Sequence, residues 1–274
     1  MFVMFGVLLA VPAILSSFGT GRPAAVKLAA ALLGVVAGIG IYVLAVRFME
    51  RRPVVELERK GAIRALTVGV LLGVGLFSVV IGLIAALGGY RVVGTGDIGG
   101  VVSLLAASLL AGVVEELVFR GVVFRILEEL TGTWLALALS AALFGALHFG
   151  NSGATVWGAL AIAIEAGVLL GAAYVATRRL WVPIGLHFAW NFTQGGIFGV
   201  TVSGSGDGGE GLLTSRLSGP DLLSGGAFGA EASIFAVLLC LLVAVLFLRI
   251  AVQAGRIKPP RWSARAKTRV TRNG

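Results

Sequence analysis

The chain contains 274 residues, of which 58% are hydrophobic and 13% are charged, and its formal net charge is +9. Soluble domains carry about 25% charged residues, so this composition excludes an ordinary soluble fold and indicates a membrane protein. The single cysteine, Cys240, excludes an intrachain disulfide framework and a cysteine-based zinc cluster.

Eight apolar segments follow one another along the chain, and most have the roughly 17–25 residues that a helix needs to cross the hydrocarbon core. We therefore predict an all-α, polytopic integral membrane helix bundle with about eight transmembrane helices. The first segment lacks a positively charged start, so we interpret it as a spanning or interfacial helix and not as a signal peptide. The segments are 1–18, 27–46, 65–88, 98–118, 134–148, 154–176, 180–199 and 232–248.

Lysine and arginine residues are concentrated in connecting stretches on one side of such a bundle. Positively charged loops stay on the cytoplasmic side, so we predict a multi-pass protein of the cell membrane with both termini in the cytoplasm. The basic tail has no nucleic-acid-binding motif or aromatic platform, and we expect it to contact the lipid bilayer and not nucleic acid. The basic stretches are 47–64, 119–130, 177–180 and Arg249 to Arg272.

The chain divides into three parts by its pattern of polar residues. Residues 1–97 contain only apolar helices and basic loops, whereas 98–200 contain every acid, histidine and amide that interrupts a predicted span. Residues 201–274 comprise an extracytoplasmic loop, the last helix and the basic tail. The loop 201–230 is rich in Gly, Ser and Asp, which is typical of a flexible segment.

Ionisable side chains inside membrane helices are costly and are usually functional. The protein has only two histidines, and both lie in the apolar segments of the central part. The acid Glu165 stands alone in a third segment, and Gln194 follows Asn191 by three residues, so both are further candidates to face a polar cavity. The main polar positions are Glu115, Glu116, Arg120, His148, His187 and Asn191.

Spacing brings these positions together. Residues four apart share a helix face, which pairs Glu116 with Arg120 and His187 with Asn191. The turn Thr131-Gly132-Thr133 separates two helical segments, and Glu115 and His148 lie almost equally far from it, at about 23 Å for a rise of 1.5 Å per residue. His187 follows the basic pair at 178–179 by eight residues. We therefore predict a shared polar cavity at one depth, facing the cytoplasm.

Three motifs occur in order within this region: EExxxR (Glu115, Glu116, Arg120), FxxxH (Phe144, His148) and HxxxN (His187, Asn191). This set resembles the CPBP family, which includes the type II CAAX prenyl endopeptidases and relatives linked to bacteriocin processing and immunity. The resemblance covers about 100–200. It implies an intramembrane endopeptidase, with Glu115 as general base, His148 holding the water, and His187 and Asn191 stabilising the oxyanion. Glu116 and Arg120 would support the site as an ion pair.

The cofactor and the function stay open to alternatives. Glu115, His148 and His187 are candidate ligands for a divalent metal such as zinc, although the helix-borne HExxH arrangement is absent, which slightly favours a metal-free mechanism. Intramembrane Glu and His also occur in proton-coupled transporters. A catalytically idle scaffold or immunity factor would keep the same residues. The expected substrates are membrane-anchored peptides, including prenylated CAAX-type tails.

Overall fold

The computed structural model describes residues 21–206 and 211–261, together with the isolated positions 6, 10, 14 and 17. Long helices dominate these ranges, and a two-stranded antiparallel sheet closes one end. The helices are α1 (Ala24–Phe48), α2 (Ala62–Ala86), α3 (Ile98–Thr131), α4 (Thr133–Gly150), α5 (Val156–Thr177), α6 (Trp181–Asn191), α7 (Asp221–Ser224) and α8 (Ile234–Gln253). The strands are β1 (Tyr90–Thr95) and β2 (Leu213–Leu217).

Six helices in the described ranges are long and apolar enough to cross a membrane, namely α1, α2, α3, α4, α5 and α8. The predicted span 180–199 corresponds to α6, which has 11 residues and continues through the π-helical turn Phe192–Ile197. The predicted first span, 1–18, lies outside the described residues apart from four isolated positions. The polytopic helical fold is confirmed, whereas the count of eight spans stays a prediction.

Large apolar side chains cover the outward faces of the long helices. Val36 of α1 is 68% exposed, Leu71 of α2 is 66% exposed and Leu242 of α8 is 57% exposed. Soluble monomers rarely expose continuous apolar patches of this kind. In a lipid bilayer the same surfaces are in contact with acyl chains, so the pattern agrees with a multi-pass membrane protein.

Glycines hold the helices of the site close to their neighbours. A Cβ atom at Gly73 of α2 would lie 2.6 Å from the carbonyl oxygen of Leu186, and one at Gly185 of α6 would lie 2.4 Å from that of Leu66. A Cβ atom at Gly112 of α3 would lie 2.8 Å from the backbone nitrogen of Phe188. Small residues allow such close approach in membranes, and here they fix α6 against both α2 and α3.

One end of the bundle carries a network of charged side chains. Arg178 and Lys258 contact the carboxylate of Glu128 at 2.6 and 3.0 Å. Arg52 and Arg125 both bind Glu50 in the connection after α1. Although partial burial opposes ionisation, hydrogen bonds from Arg125 and Arg52 hold the pKa of Glu50 below its ordinary value. We call this the charged end.

The opposite end contains structure that the sequence did not predict. Strand β1 follows α2 and pairs with β2, with Tyr90 opposite Leu217 and Thr95 opposite Leu213. This strand pair is a small addition to a fold that is otherwise helical, as predicted. The described part of 201–230, interpreted as a flexible loop, contains β2, α7 and a short 3₁₀ turn, Gly226–Phe228. We call this the sheet end.

Candidate active site

The four predicted catalytic residues line one cavity of about 420 Å³. Glu115 comes from the middle of α3, His148 from the last turn of α4, and His187 and Asn191 from successive turns of α6. Glu115 is partly exposed to the cavity, whereas His187 is buried. The structure thus brings together residues that are up to 76 positions apart in sequence.

A buried ion pair orients His187. Glu116 is fully buried, and its Oε1 atom accepts hydrogen bonds from Arg120 Nη1 at 2.7 Å and from His187 Nδ1 at 2.9 Å. Because an ionised carboxylate can only accept hydrogen bonds, Nδ1 of His187 must carry a proton. The other ring nitrogen, Nε2, lies 3.9 Å from Glu115 Oε2. Glu116 therefore orients His187.

Arg120 ties this pair to a second helix. Its guanidinium group donates to the backbone carbonyls of Ala166 and Gly167, the latter at 3.1 Å. Both carbonyls belong to the π-helical turn Ala163–Val168 of α5, and Arg120 itself lies in the π-helical turn Phe119–Phe124 of α3. Such turns leave carbonyls outside the regular α-helical pattern and are frequent at functional sites.

Phe144 explains the FxxxH spacing. Its carbonyl oxygen accepts a hydrogen bond from His148 Nδ1 at 2.8 Å, and its ring lies 4.8 Å from the His148 ring. The guanidinium carbon of Arg120 lies 5.2 Å from the centre of the same ring, within the range of a cation–π interaction. Phe144 therefore packs between the two polar groups and leaves Nε2 of His148 for the cavity.

The cavity also contains an acid that sequence reasoning missed. Glu231 lies just before α8 and is 1% exposed, and it lines the cavity together with Glu165, which is 3% exposed. In the sequence Glu231 is a lone charge beside the last apolar segment, and such a charge is equally typical of the end of a loop. Gln194 is fully buried but is not among the lining residues; its side-chain amide donates to the backbone carbonyl of Thr201.

The cavity lies on the sheet-end side of Glu115. Along α3 it is lined by Leu104, Ala107 and Ser108, which precede Glu115 and lie farther from the charged end. Its exposed lining residues are Ala107, Leu147 and Ser205, so its mouth lies between α3, the end of α4 and the loop after α6. If the charged end is cytoplasmic, the cavity opens towards the other side of the membrane, whereas the sequence predicted an opening towards the cytoplasm.

The side chains do not form a ready-made metal site. Within the described ranges, no group of three His, Cys, Asp or Glu side chains is placed to hold a metal ion. Nδ1 of His187 is bonded to Glu116 and Nδ1 of His148 to Phe144, so each histidine offers only Nε2. A free Nε2 with Nδ1–H bonded to an oxygen is the usual state of a metal-ligating histidine, so only the lack of close grouping among Glu115, His148 and His187 speaks against a zinc ion.

Comparisons with known proteins identify the region that contains these residues. Residues 97–193 match the family model described as "Type II CAAX prenyl endopeptidase Rce1-like". A protein of Bacillus subtilis (strain 168) named "Putative membrane peptidase YdiL" is 28% identical over 88 residues, which is 32% of this chain and 34% of that protein. The chain thus matches about a third of the length of this curated relative. No solved structure matches significantly. The resemblance predicted from the three motifs is thus confirmed, because residues 97–193 are similar to the type II CAAX prenyl endopeptidases.

Proposed function

We propose that this chain is an intramembrane endopeptidase in which Glu115 activates a water molecule that attacks the peptide carbonyl carbon. The observation that carries the proposal is the convergence of Glu115, His148, His187 and Asn191 on one cavity, with His187 oriented by the buried pair Glu116–Arg120. A general base, a water-holding group and two side-chain donors are the parts that amide hydrolysis needs.

The first step forms the tetrahedral intermediate. Glu115 takes one proton from the water, whose oxygen bonds to the carbonyl carbon while the carbonyl π electrons move onto oxygen. His148 holds this water, because its Nδ1–H is used by the Phe144 carbonyl and its free Nε2 accepts a hydrogen bond. No metal takes part in this step.

The second step releases the products. The oxyanion accepts hydrogen bonds from the Asn191 amide and from Nε2–H of His187 in its imidazolium form. Glu116, which is hydrogen bonded to Nδ1 of the same ring, stabilises that positive charge. The intermediate then collapses with cleavage of the C–N bond, and Glu115 returns its proton to the leaving amine nitrogen. Removal of one oxyanion donor typically costs about 10²–10³-fold in rate.

Membrane-anchored or strongly apolar peptides are the proposed substrates, and prenylated CAAX-type tails are the class suggested by the family description. The apolar lining residues Leu104, Leu147 and Leu170 support this choice. So do the exposed positions Ala107 and Leu147 at the mouth, because they belong to helices whose outer faces contact lipid.

The test is cleavage of quenched fluorescent lipopeptides, with CAAX-type and non-prenylated members, by the purified full-length chain in detergent. We expect Glu115→Gln and His148→Ala to lose about 10²–10⁴-fold in kcat, as for other general bases. Glu129→Gln is the matched control, because Glu129 is 52% exposed at the charged end. Cleavage that persists in both site variants would refute the assignment, and loss of activity on chelation would refute the metal-free step. A folded protein that cleaves no peptide would favour an idle scaffold.

A further inference from the structure

Glu165 and Glu231 form a second acidic group in the wall of the catalytic cavity. Glu165 lies in the π-helical turn of α5, and Glu231 lies in the 3₁₀ turn Ala230–Ala232 before α8. The two carboxyl groups lie near enough to interact electrostatically, although the residues are 66 positions apart. Two neighbouring buried carboxyl groups favour a positively charged partner, because like charges in one site repel each other.

This pair differs from the other buried acids of the described ranges. Glu56 lies 2.7 Å from Arg52, Glu116 lies 2.7 Å from Arg120, and Glu128 lies 2.6 Å from Arg178. No lysine or arginine of the described ranges forms an ion pair with Glu165 or Glu231. Buried charges are ordinarily paired, and here the counter-charge does not come from the described protein.

Two buried acceptor atoms in this region also have no donor. Glu165 Oε2 has no hydrogen-bond partner, and neither has Oε1 of the fully buried Gln194. The Gln194 amide nitrogen donates to the carbonyl of Thr201, which identifies Oε1 as the acceptor end. Glu231 is held in place by the backbone N–H of Ser203. Of Glu165 and Gln194 only Glu165 lines the cavity, so Glu165 Oε2 is the unsatisfied acceptor that a hydrogen-bond donor in the cavity can reach.

We propose that Glu165 and Glu231 form a subsite for the cationic side chain of a lysine or arginine in the peptide substrate. This inference rests on the proposed function. An ammonium group supplies three donors and a guanidinium group five, and either supplies the missing positive charge. The aliphatic stem of such a side chain suits the neighbouring walls formed by Ala166, Leu169 and Leu186.

A metal cation fits the same group less well. Calcium takes six to eight oxygen ligands, whereas two carboxylates provide few, and the described ranges contain no group of three His, Cys, Asp or Glu side chains suited to a metal. The shared cavity also puts Glu165 and Glu231 within reach of a peptide that is bound at Glu115 and His187.

The test measures binding and does not depend on cleavage. The full-length chain carrying Glu115→Gln is titrated in detergent with fluorescent acylated peptides in which one lysine is moved through successive positions. Each lysine peptide has a partner with norleucine, which keeps the stem without the ammonium group. We expect lysine to improve Kd by about tenfold at one position, the effect of a charge-assisted hydrogen bond. When Glu165→Gln or Glu231→Gln is added to this chain, the ratio of the norleucine Kd to the lysine Kd at that position should fall towards one. Adding Glu129→Gln should leave the ratio unchanged.

Two results would overturn the subsite. One is the absence of any position at which lysine binds better than norleucine, a result that needs neither Glu165→Gln nor Glu231→Gln to fold. The other is a lysine preference that survives in both variants. Failure of the proposed function is a separate result, because it shows in the cleavage assay of the unmodified chain. A lysine preference without cleavage would support the cationic subsite in a protein that binds peptides but does not hydrolyse them.

Discussion

At the level of single residues, the site depends on a line of buried polar groups that runs from the Ala166 carbonyl through Arg120 and Glu116 to His187. Arg120 is 3% exposed and Glu116 is fully buried, so neither charge is stabilised by water. Each needs its partner, because a buried ion that has lost its counter-ion costs more free energy than the pair gained. The EExxxR motif therefore has a structural consequence besides its effect on His187.

Replacing Arg120 tests this dependence. We expect Arg120→Met to lower the free energy of unfolding by about 3–5 kcal/mol, because Glu116 keeps a buried charge without its arginine. Thermal unfolding in detergent measures the change. The double variant Arg120→Met/Glu116→Gln should regain part of the loss, since it removes the uncompensated charge. Arg216→Met, at an exposed position of β2, should change stability by no more than about 0.5 kcal/mol. Equal effects of Arg120→Met and Arg216→Met would contradict the buried-pair argument.

At the level of helices, the position of His187 is set by how closely α6 approaches α2 and α3. Gly73 and Gly112 have no room for a side chain on the faces that meet α6. In lipid, where apolar side chains gain little by leaving the solvent, close backbone packing is a main source of helix association. Gly73, in the amino-terminal part of the chain, therefore helps to position the site, although this part supplies no catalytic side chain.

A pair of glycines on the same helix separates packing from helix propensity. Gly73→Ala would bring its Cβ within 2.8 Å of the Ala189 side chain, whereas a Cβ at Gly75 meets nothing within 4 Å. We expect Gly73→Ala to destabilise the protein by about 1–3 kcal/mol through overpacking, and to reduce peptide cleavage because α6 carries His187. Gly75→Ala should gain up to about 1 kcal/mol from helix propensity. Similar melting temperatures for the two variants would show that the close approach is unimportant.

At the level of the whole molecule, the two ends of the bundle differ in chemistry. Glu50, Arg125, Glu128 and Arg178 meet at the charged end, whereas the strand pair and the cavity mouth lie towards the sheet end. The positive-inside rule assigns the charged end to the cytoplasm. Under that rule, substrates would reach Glu115 from the outer half of the membrane, and not from the cytoplasmic side that the depth argument suggested.

Cysteine labelling determines the orientation directly. Val55 at the charged end and Val93 on β1 are 54% and 55% exposed, and the native Cys240 is buried. With a membrane-impermeant maleimide, we expect Val93→Cys to react in intact cells and Val55→Cys to react only in inverted vesicles. Neither change alters the charge of the loops. The unmodified chain gives the background from Cys240. The reverse pattern would put the charged end outside and the cavity on the cytoplasmic side.

The sequence by itself determined the membrane class, the position of the turn at Gly132 and four of the residues that line the cavity. These follow from local properties: apolar runs of spanning length, a glycine between two such runs, and polar groups too costly to bury in lipid without a role. It also identified Glu116 and Arg120 as a pair, because residues four apart on a helix must be neighbours.

Only the tertiary structure decided which groups these residues contact. The bond from Glu116 to His187 spans 71 positions, and the meeting of Glu165 with Glu231 depends on where the turn before α8 packs against α5. The two-stranded sheet joins Tyr90–Thr95 to Leu213–Leu217, residues that are 118 to 127 positions apart in sequence. Such contacts depend on how the helices and loops are arranged in space, and hydrophobic periodicity describes only which face of each segment is apolar.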